Sequence, residues 1–363
     1  MKVRLSDSGG VGIVSIGHYI PYLRLEMNEL ARQWDVPAPL ERAYRLNGRN
    51  RVAVNADDED TVTLAVAAAE RALATLPKTV RISSVLVGSE SHPYAVKPSA
   101  VIVAEALGLA PDVFASDLEF ACKGGTAAVL LSTALVKSSF GAYALAVGAD
   151  CPQSAPGSLL EASVGAGACA VVIGPEGEAI ATIEAAASAG TDLTDFWRRD
   201  GSPYPSVVGK FSVDEGYMAH SERVARALFE ATGSSAADYA ACVFHQPYAS
   251  LPSTLAKSLG FTAAQAKPGL IASRIGNTYS GSSLLALASV LEGAKAGDRI
   301  LLVSFGSGAG SDGFVLRVAP AIAEWRKKRH AQGLASIEVE LGREHADTLS
   351  YGQYARAQGK LAR

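Results

Sequence analysis

Two stretches of the chain repeat one order of apolar runs and helical segments, and this repeat restricts the fold more than any other feature of the sequence. The apolar runs lie at 83–90, 143–150 and 166–175 in the first stretch, and at 239–247, 299–308 and 312–320 in the second. Short runs without polar alternation are typical of strands that are covered on both faces. The sequence therefore predicts an α/β protein built from two duplicated halves.

The spacing within the two halves supports the duplication. Cys122 precedes an apolar helical segment and lies 25 residues before Val147, and Asn277 precedes another and lies 26 residues before Val303. A strand that ends in Glu90 in the first half corresponds to one that ends in His245 in the second. The residues that we expect to meet across a pseudo-twofold axis are Glu90, Cys122, His245 and Asn277.

Composition excludes several classes of protein. The 363 residues are 48% hydrophobic and 19% charged, which excludes disorder for most of the chain. A net charge of −3 without long runs of one sign argues against partners such as nucleic acid or acidic membranes. No cleavable leader or 18-residue apolar run is evident, so we expect no membrane association and a cytoplasmic location. The four cysteines lack metal-ligand spacing, so no metal site is predicted.

The pattern divides the chain into four parts. Residues 1–175 form the first half and residues 218–320 the second. Between them, 176–217 is rich in aromatic residues and proline and is interpreted as a covering loop. The charged tail, 321–363, is interpreted as an extension that packs on the body.

Cys122 is the candidate nucleophile. It stands directly before an apolar helix, where the helix dipole is expected to lower the thiol pKa. Gly124 and Gly125 are expected to let a substrate carbonyl approach backbone N–H donors. The alternative is a buried structural cysteine, which is our interpretation of Cys151, Cys169 and Cys242.

Three further residues are candidates for acid–base work and hydrogen bonding. Glu90 follows a buried strand, and partial burial would raise its pKa toward the range of a general base. His245 stands at the end of another strand, where it is either a site residue or a core histidine. Asn277 precedes a helix and is either an N-cap or a donor to an oxyanion. Gly306, Gly308 and Gly310 form a loose GxGxG that a strand follows, so a dinucleotide site is rejected.

The motifs, taken together, resemble the thiolase superfamily and, within it, 3-hydroxy-3-methylglutaryl-CoA synthases of the archaeal type. They span nearly the whole chain: GSES at 88–91, EFACK at 119–123, DFWRR at 195–199, HQP at 245–247, GNTYSGSS at 276–283, GSGAGSD at 306–312 and YGQYAR at 351–356.

The resemblance implies a thiolase-like fold of two βαβαβ halves in five αβαβα layers, and a Claisen-type condensation in the mevalonate route to isoprenoids. Cys122 would take an acetyl group from acetyl-CoA, Glu90 would remove a methyl proton, and His245 and Asn277 would hold the acetoacetyl-CoA acceptor and its oxyanion. The predicted substrate-binding residues are Ser280, Phe305, Ser307 and Gly308. Coenzyme A thioesters are expected as substrates, with no cofactor.

The resemblance also implies partners. We expect a homodimer in which the apolar run 143–150 is an edge strand that pairs with its twofold mate. A complex with acetoacetyl-CoA thiolase and a scaffold protein with an OB-fold and a zinc ribbon is a further expectation.

Two departures from the family leave the acceptor open. Residues 248–252 read YASLP, where the family usually has a basic residue, and Phe305 replaces the usual tyrosine. The alternatives are a related acyltransferase or ketosynthase of secondary metabolism with another acceptor, and a non-catalytic subunit of a thiolase complex. The presence of all four candidate catalytic residues argues against the non-catalytic alternative.

Overall fold

The computed structural model describes residues 2–4, 10–34, 51–342 and 347–361. Within these ranges the strands are β1 (Lys2–Arg4), β2 (Val11–Tyr19), β3 (Leu23–Glu26), β4 (Arg51–Val54), β5 (Ile82–Gly88), β6 (Phe114–Leu118), β7 (Tyr143–Asp150), β8 (Gly167–Pro175), β9 (Ala181–Gly190), β10 (Phe196–Trp197), β11 (Ser206–Val207), β12 (Ala241–Phe244), β13 (Arg299–Gly306) and β14 (Gly310–Val318). The helices are α1 (Met27–Gln33), α2 (Thr61–Leu73), α3 (Ser99–Ala106), α4 (Gly124–Lys137), α5 (Gly209–Phe211), α6 (Ala219–Thr232), α7 (Leu251–Ser258), α8 (Ala263–Ala266), α9 (Ala272–Ile275), α10 (Ser282–Gly293), α11 (Ile322–Ala331), α12 (Ile337–Leu341) and α13 (Tyr351–Ala357).

The sheet confirms the predicted duplication. The strand order is β12-β13-β14-β9-β2-β8-β7-β5-β6, with β1 paired to β9. The order β2-β8-β7-β5 in the first half therefore recurs as β9-β14-β13-β12 in the second. In both halves the last two of these strands are parallel and the others are antiparallel.

The helices lie in three layers around the two half-sheets. Helices α2 and α3 pack on the outer face of the first half, and α6 packs on β9, β13 and β14 of the second. Helices α4 and α10 each contact strands of both halves, so they form the middle layer. Nine residues of α10 are buried, on all sides of the helix, as a position between two sheets requires.

The segment 176–217 is not a covering loop throughout, and this prediction is wrong for its first part. Residues Ala181–Gly190 form β9, which joins the two halves through its pairing with β2. The run is rich in alanine, which has low strand propensity, but its small side chains fit a strand that lies between β14 and β2.

The edge strand is also not the predicted one. β7 is hydrogen-bonded to β5 on one side and to β8 on the other, so the run 143–150 is internal. The described strand at this edge of the sheet is β6. An apolar run indicates that a strand is buried. A strand in the middle of a sheet is buried just as well as an edge strand at a dimer interface, so the run does not distinguish the two positions.

The C-terminal extension packs on the body, as predicted. Trp325 and Ile337 belong to the central apolar cluster. Glu340 is fully buried and accepts a hydrogen bond from His18, a residue of β2. Residues 1, 5–9, 35–50, 343–346 and 362–363 of the predicted parts lie outside the described residues.

Candidate active site

The duplicated halves bring the four predicted catalytic residues together. Cys122, His245 and Asn277 line one cavity. Glu90 lines an adjoining cavity and meets Cys122, whose Sγ donates to Glu90 Oε1 at 3.2 Å. Both cavities share the side chains of Phe196, Tyr279 and Ser307.

The backbone before Cys122 is held in a turn that aims the sulfur at the cavity. Ala121 has φ +40°, a conformation that side chains other than glycine rarely adopt. Ser280 Oγ donates to the Ala121 carbonyl oxygen at 3.1 Å. On the other side, Lys123 Nζ forms a buried ion pair with Asp312 at 2.9 Å. Contacts on both sides of Cys122 therefore fix the turn.

The two glycines that follow Lys123 allow close packing at the start of α4, and their predicted role in admitting a substrate carbonyl stays a prediction. A Cβ on Gly124 would lie 3.2 Å from Gly88, and one on Gly125 would lie 2.4 Å from the Ser280 carbonyl oxygen. A Cβ on Gly148 would lie 2.3 Å from the same Ser280 carbonyl oxygen. The glycines let the start of α4 approach β5, β7 and the residues before α10.

The expectation of a lowered pKa for the Cys122 thiol is wrong. Burial raises the pKa of Cys122 well above its ordinary value, and the negative charges of Glu90 and Asp150 raise it further. A hydrogen bond from the Asn277 side chain opposes this rise. The dipole of α4 is outweighed because the sulfur is nearly excluded from water and faces two carboxyl groups.

Glu90 has the raised pKa that was predicted for a general base. Burial is the largest cause, and the charge of Asp150 adds to it, while the contact with Cys122 acts in the opposite direction. A carboxyl group with a raised pKa binds a proton near neutral pH more readily than an exposed one, which suits proton transfer.

Asp150 is a site residue that the sequence analysis missed. It is fully buried at the end of β7, where its carboxylate accepts hydrogen bonds from four donors. The donors are Ser89 Oγ at 2.7 Å, the Glu90 backbone N–H at 2.9 Å, Ser91 Oγ at 2.6 Å and the Ser280 backbone N–H at 2.8 Å. The sequence contains a signal for this residue, because Asp150 stands at the end of an apolar run. Glu90 and His245 stand at the ends of apolar runs in the same way.

Asn277 and His245 are held by their backbones. The Asn277 backbone N–H donates to the Ser163 carbonyl at 2.8 Å, and its carbonyl accepts from Gly165 N–H at 2.9 Å. Its side-chain oxygen accepts from Tyr279 N–H at 3.0 Å, which leaves the amide nitrogen for the cavity. The His245 backbone pairs with Val303, and Tyr217 OH donates to the His245 carbonyl at 2.8 Å.

The predicted substrate-binding residues divide into two pairs. Phe305 and Ser307 line the cavity that holds Cys122. Ser280 and Gly308 are not among the lining residues of either cavity. Ser280 lies behind Cys122, and the Gly308 N–H donates to Asp195 Oδ1 at 2.7 Å.

Tyr279 is a second residue that received no role in the sequence analysis. It has φ +43° and lines both cavities. Its buried hydroxyl has no hydrogen-bond partner among the described residues. A buried donor of this kind is available to a bound molecule.

The later part of the segment 176–217 covers the site. It supplies six lining residues of the first cavity: Phe196, Val207, Gly209, Ser212, Val213 and Tyr217. Asp195 ties this cover to the turn after β13, because it accepts from both Gly308 N–H and Ser212 Oγ, each at 2.7 Å.

The described residues contain no group of three or more His, Cys, Asp or Glu side chains arranged to hold a metal ion. None of the helices in this part of the chain combines the length and the apolar character that crossing a membrane requires.

Comparisons with known proteins agree with the geometry. Residues 8–178 match the family model of the hydroxymethylglutaryl-coenzyme A synthase N terminal, and residues 229–318 match that of the 3-oxoacyl-[acyl-carrier-protein] synthase III C terminal. Hydroxymethylglutaryl-CoA synthase of Methanobrevibacter smithii is 45% identical over 97% of this chain and 99% of its own length. The enzyme of Aeropyrum pernix is also 45% identical, over 98% and 96%. A solved structure of MvaS in complex with 3-hydroxy-3-methylglutaryl coenzyme A has a TM-score of 0.84 at 26% identity and covers 98% of this chain and 93% of its own. The chain belongs to the hydroxymethylglutaryl-CoA synthase family.

Proposed function

We propose that the protein condenses acetyl-CoA with acetoacetyl-CoA and water to give 3-hydroxy-3-methylglutaryl-CoA, through an acetyl thioester on Cys122. The observation that carries this proposal is the 3.2 Å contact between the Cys122 thiol and Glu90, beside a cavity that also holds His245 and Asn277. A nucleophile, a base and hydrogen-bond donors at one place are what this chemistry needs. The names of the relatives support the same reaction.

The first step is acetyl transfer to Cys122. The sulfur bonds to the thioester carbonyl carbon, the bond from that carbon to the CoA sulfur breaks, and CoA leaves with the thiol proton. Because burial and two carboxyl groups raise the pKa of Cys122, the sulfur holds its proton more readily than an ordinary thiol. The Asn277 amide, which already hydrogen-bonds the sulfur, is placed to donate to the carbonyl oxygen.

The second step is carbon–carbon bond formation. Glu90 contacts the sulfur that carries the acetyl group, so its carboxylate lies near the acetyl methyl. It removes a methyl proton, and the resulting enolate carbon bonds to the ketone carbon of acetoacetyl-CoA. The ketone oxygen takes a proton and becomes the 3-hydroxyl group. We assign the hydrogen bond to that oxygen to His245, which lines the same cavity.

The third step is hydrolysis of the thioester on Cys122. The water oxygen bonds to the acyl carbon, and the bond from that carbon to the Cys122 sulfur breaks. One proton of the water returns to the sulfur, and the released acyl group carries the remaining hydroxyl as a carboxylic acid.

The test follows each step separately. The protein is incubated with acetyl-CoA, and intact mass is expected to show one acetyl group, absent in Cys122→Ala. A chase with acetoacetyl-CoA is expected to remove the acetyl group and to release the product. An unmodified wild-type protein, or an acetyl group retained in Cys122→Ala, contradicts the proposal.

A second candidate differs only in the acceptor. Residues 248–252 carry no basic side chain, and Phe305 contributes a ring without a hydroxyl to the cavity. Both changes lie near His245, on the acceptor side of the proposed reaction. Chases with other β-keto thioesters and with a carrier-bound acetoacetyl group separate this candidate from the first, since the acetylated Cys122 is common to both.

We also propose that the protein forms a homodimer through β6, since among the described strands it has a neighbour on one side only, and such an edge favours pairing with a second copy. Assembly with an acetoacetyl-CoA thiolase and an OB-fold, zinc-ribbon scaffold is a further proposal. The exposed side chains of Val207, Val208 and Phe211, beside the cavity, support it. Co-purification from a co-expression strain tests that assembly, and failure of the three proteins to co-purify contradicts it.

A further inference from the structure

A lysine near the C-terminal end is buried against the loop that leads into the active site. Only 3% of the Lys360 side chain is exposed. Its Nζ donates to Glu161 Oε1 at 2.6 Å, to Tyr354 OH at 2.7 Å and to Ser154 Oγ at 3.0 Å. Ser154 and Glu161 both lie in the loop 151–166, between β7 and β8, so one cation holds two points of this loop.

Glu161 depends on this cation. Its side chain is fully buried, and its other donors are neutral. They are Trp34 Nε1 at 3.2 Å, Gly157 N–H at 2.7 Å and Tyr351 OH at 3.2 Å. Among the described residues, Lys360 is the cation that forms an ion pair with Glu161. A buried carboxylate without a cation is strongly unfavourable.

The same loop forms part of the catalytic cavity. Leu160, which directly precedes Glu161, and Ser163, which follows it by two residues, line the cavity with Cys122. The Ser163 carbonyl accepts the backbone N–H of Asn277 at 2.8 Å, and Gly165 N–H donates to the Asn277 carbonyl at 2.9 Å. Displacement of the loop would therefore move Asn277 and one wall of the cavity.

We propose that Lys360 is a positioning residue for catalysis, which acts through Glu161 and the loop 151–166 on Asn277. The inference rests on the proposed function, because it assigns the loop to the acetyl transfer that Asn277 assists. Lys360 lies outside the duplicated halves, directly after the turn that follows α13. The extension is thereby part of the active-site framework.

The variants separate positioning from stability. Lys360→Met leaves Glu161 without its cation, so we expect a lower melting temperature. We also expect Cys122 acetylation to slow by up to about 10²-fold, because a small displacement of Asn277 has an effect of this size. Lys360→Met with Glu161→Gln removes both charges, and we expect the melting temperature to recover while acetylation stays slow. Lys360→Arg keeps the charge and is expected to retain most of the rate.

Arg356→Met is the matched control. Arg356 lies on α13 in the same segment, but its ion pair with Asp57 is 3.9 Å long and mostly exposed, at 80% and 65%. We expect this variant to match the wild-type protein in melting temperature and in acetylation rate.

A second readout does not depend on the condensation reaction. The pH profile of Cys122 alkylation by iodoacetamide reports the thiol pKa, which the Asn277 hydrogen bond lowers. We expect the profile of the double variant to move to higher pH, because Asn277 is no longer held. The other titratable groups near the sulfur are Glu90, Asp150, His245 and Tyr279, and the substitutions leave all of them in place.

The outcomes are distinct. Recovery of both the melting temperature and the wild-type acetylation rate in the double variant overturns the proposal, since Lys360 then only stabilises the fold. If Lys360→Met does not fold, the double variant alone decides. If the wild-type protein is not acetylated, the proposed function fails, and the alkylation profiles still show whether Lys360 positions Asn277.

Discussion

The protonation states of Cys122, Glu90 and Asp150 depend on one another because the three side chains share one buried region. Burial raises the pKa of all three groups, and the negative charge of Asp150 adds to the rise at the other two. Four hydrogen bonds oppose the rise at Asp150, so this residue carries its charge more readily than its neighbours. Asp150 thereby contributes to the electrostatic environment of both Cys122 and Glu90.

The raised pKa of Cys122 predicts the pH dependence of alkylation. An ordinary thiol has a pKa of about 8.5, and a thiol with a raised pKa forms thiolate only at higher pH. We expect iodoacetamide to label Cys122 before the other cysteines, because it lines a cavity, with a rate that keeps rising with pH beyond that of a free thiol. Peptide mapping at several pH values measures this. Preferential labelling of Cys151 or Cys169 would show that Cys122 is not the accessible nucleophile.

Glu90→Gln is expected to separate the two halves of the reaction. The substitution removes a charge that raises the pKa of Cys122, so acetylation of the sulfur is expected to continue. Condensation loses its base and is expected to slow by about 10²–10⁴-fold. In the wild-type protein the condensation rate should fall with decreasing pH through the raised pKa of Glu90, and this fall should be absent in the variant. Loss of the acetyl-enzyme in a folded Glu90→Gln protein would contradict the base role.

At single positions, the sequence predicted which residues meet but not the balance of forces on them. Glu90, Cys122, His245 and Asn277 were found because polar residues at the ends of buried strands and before apolar helices gather at one place in a duplicated α/β fold. The pKa of Cys122 was predicted with the wrong sign, because the depth of burial and the position of Asp150 depend on contacts between distant segments.

At the scale of elements, the start of helix α4 is fixed by glycine. A Cβ on Gly125 would lie 2.4 Å from the Ser280 carbonyl and 3.0 Å from Gly148 Cα, and neither backbone atom has room to move. Gly125→Ala is expected to reduce the free energy of unfolding by about 1–3 kcal/mol through overpacking, although alanine favours helix. Urea denaturation measures the change.

Gly352→Ala is the matched control for Gly125→Ala. Gly352 lies in α13, and a Cβ there would meet no atom within 4 Å. Helix propensity then acts alone, and we expect stabilisation of up to about 1 kcal/mol. Stabilisation by both substitutions would show that α4 is not packed as closely as the structure indicates.

The sequence predicts the type of an element where its hydrophobic pattern is strong. The prediction fails where the neighbouring strands determine the type. The apolar runs that become β7, β8, β13 and β14 were predicted nearly to their bounds. β9 was missed, because an alanine-rich run shows no strand signal until two neighbouring strands cover its edges. The edge position of β6 was likewise inaccessible, since strand order is a property of the assembled sheet.

At the scale of the whole molecule, the open edge at β6 predicts a homodimer. Phe114 on this strand is 46% exposed, and its ring packs edge-to-face on Phe140, which is 56% exposed, with 5.9 Å between the ring centroids. An exposed aromatic pair beside a strand with one described neighbour favours association with a second copy. Sedimentation is expected to give about twice the chain mass of 37.5 kDa.

Phe114→Lys places a charge on the edge and is expected to give monomers, whereas Val339→Lys, at a 58% exposed position on α12, is expected to remain dimeric. A wild-type monomer at micromolar concentration, or dissociation by both substitutions alike, would show that β6 is not the interface.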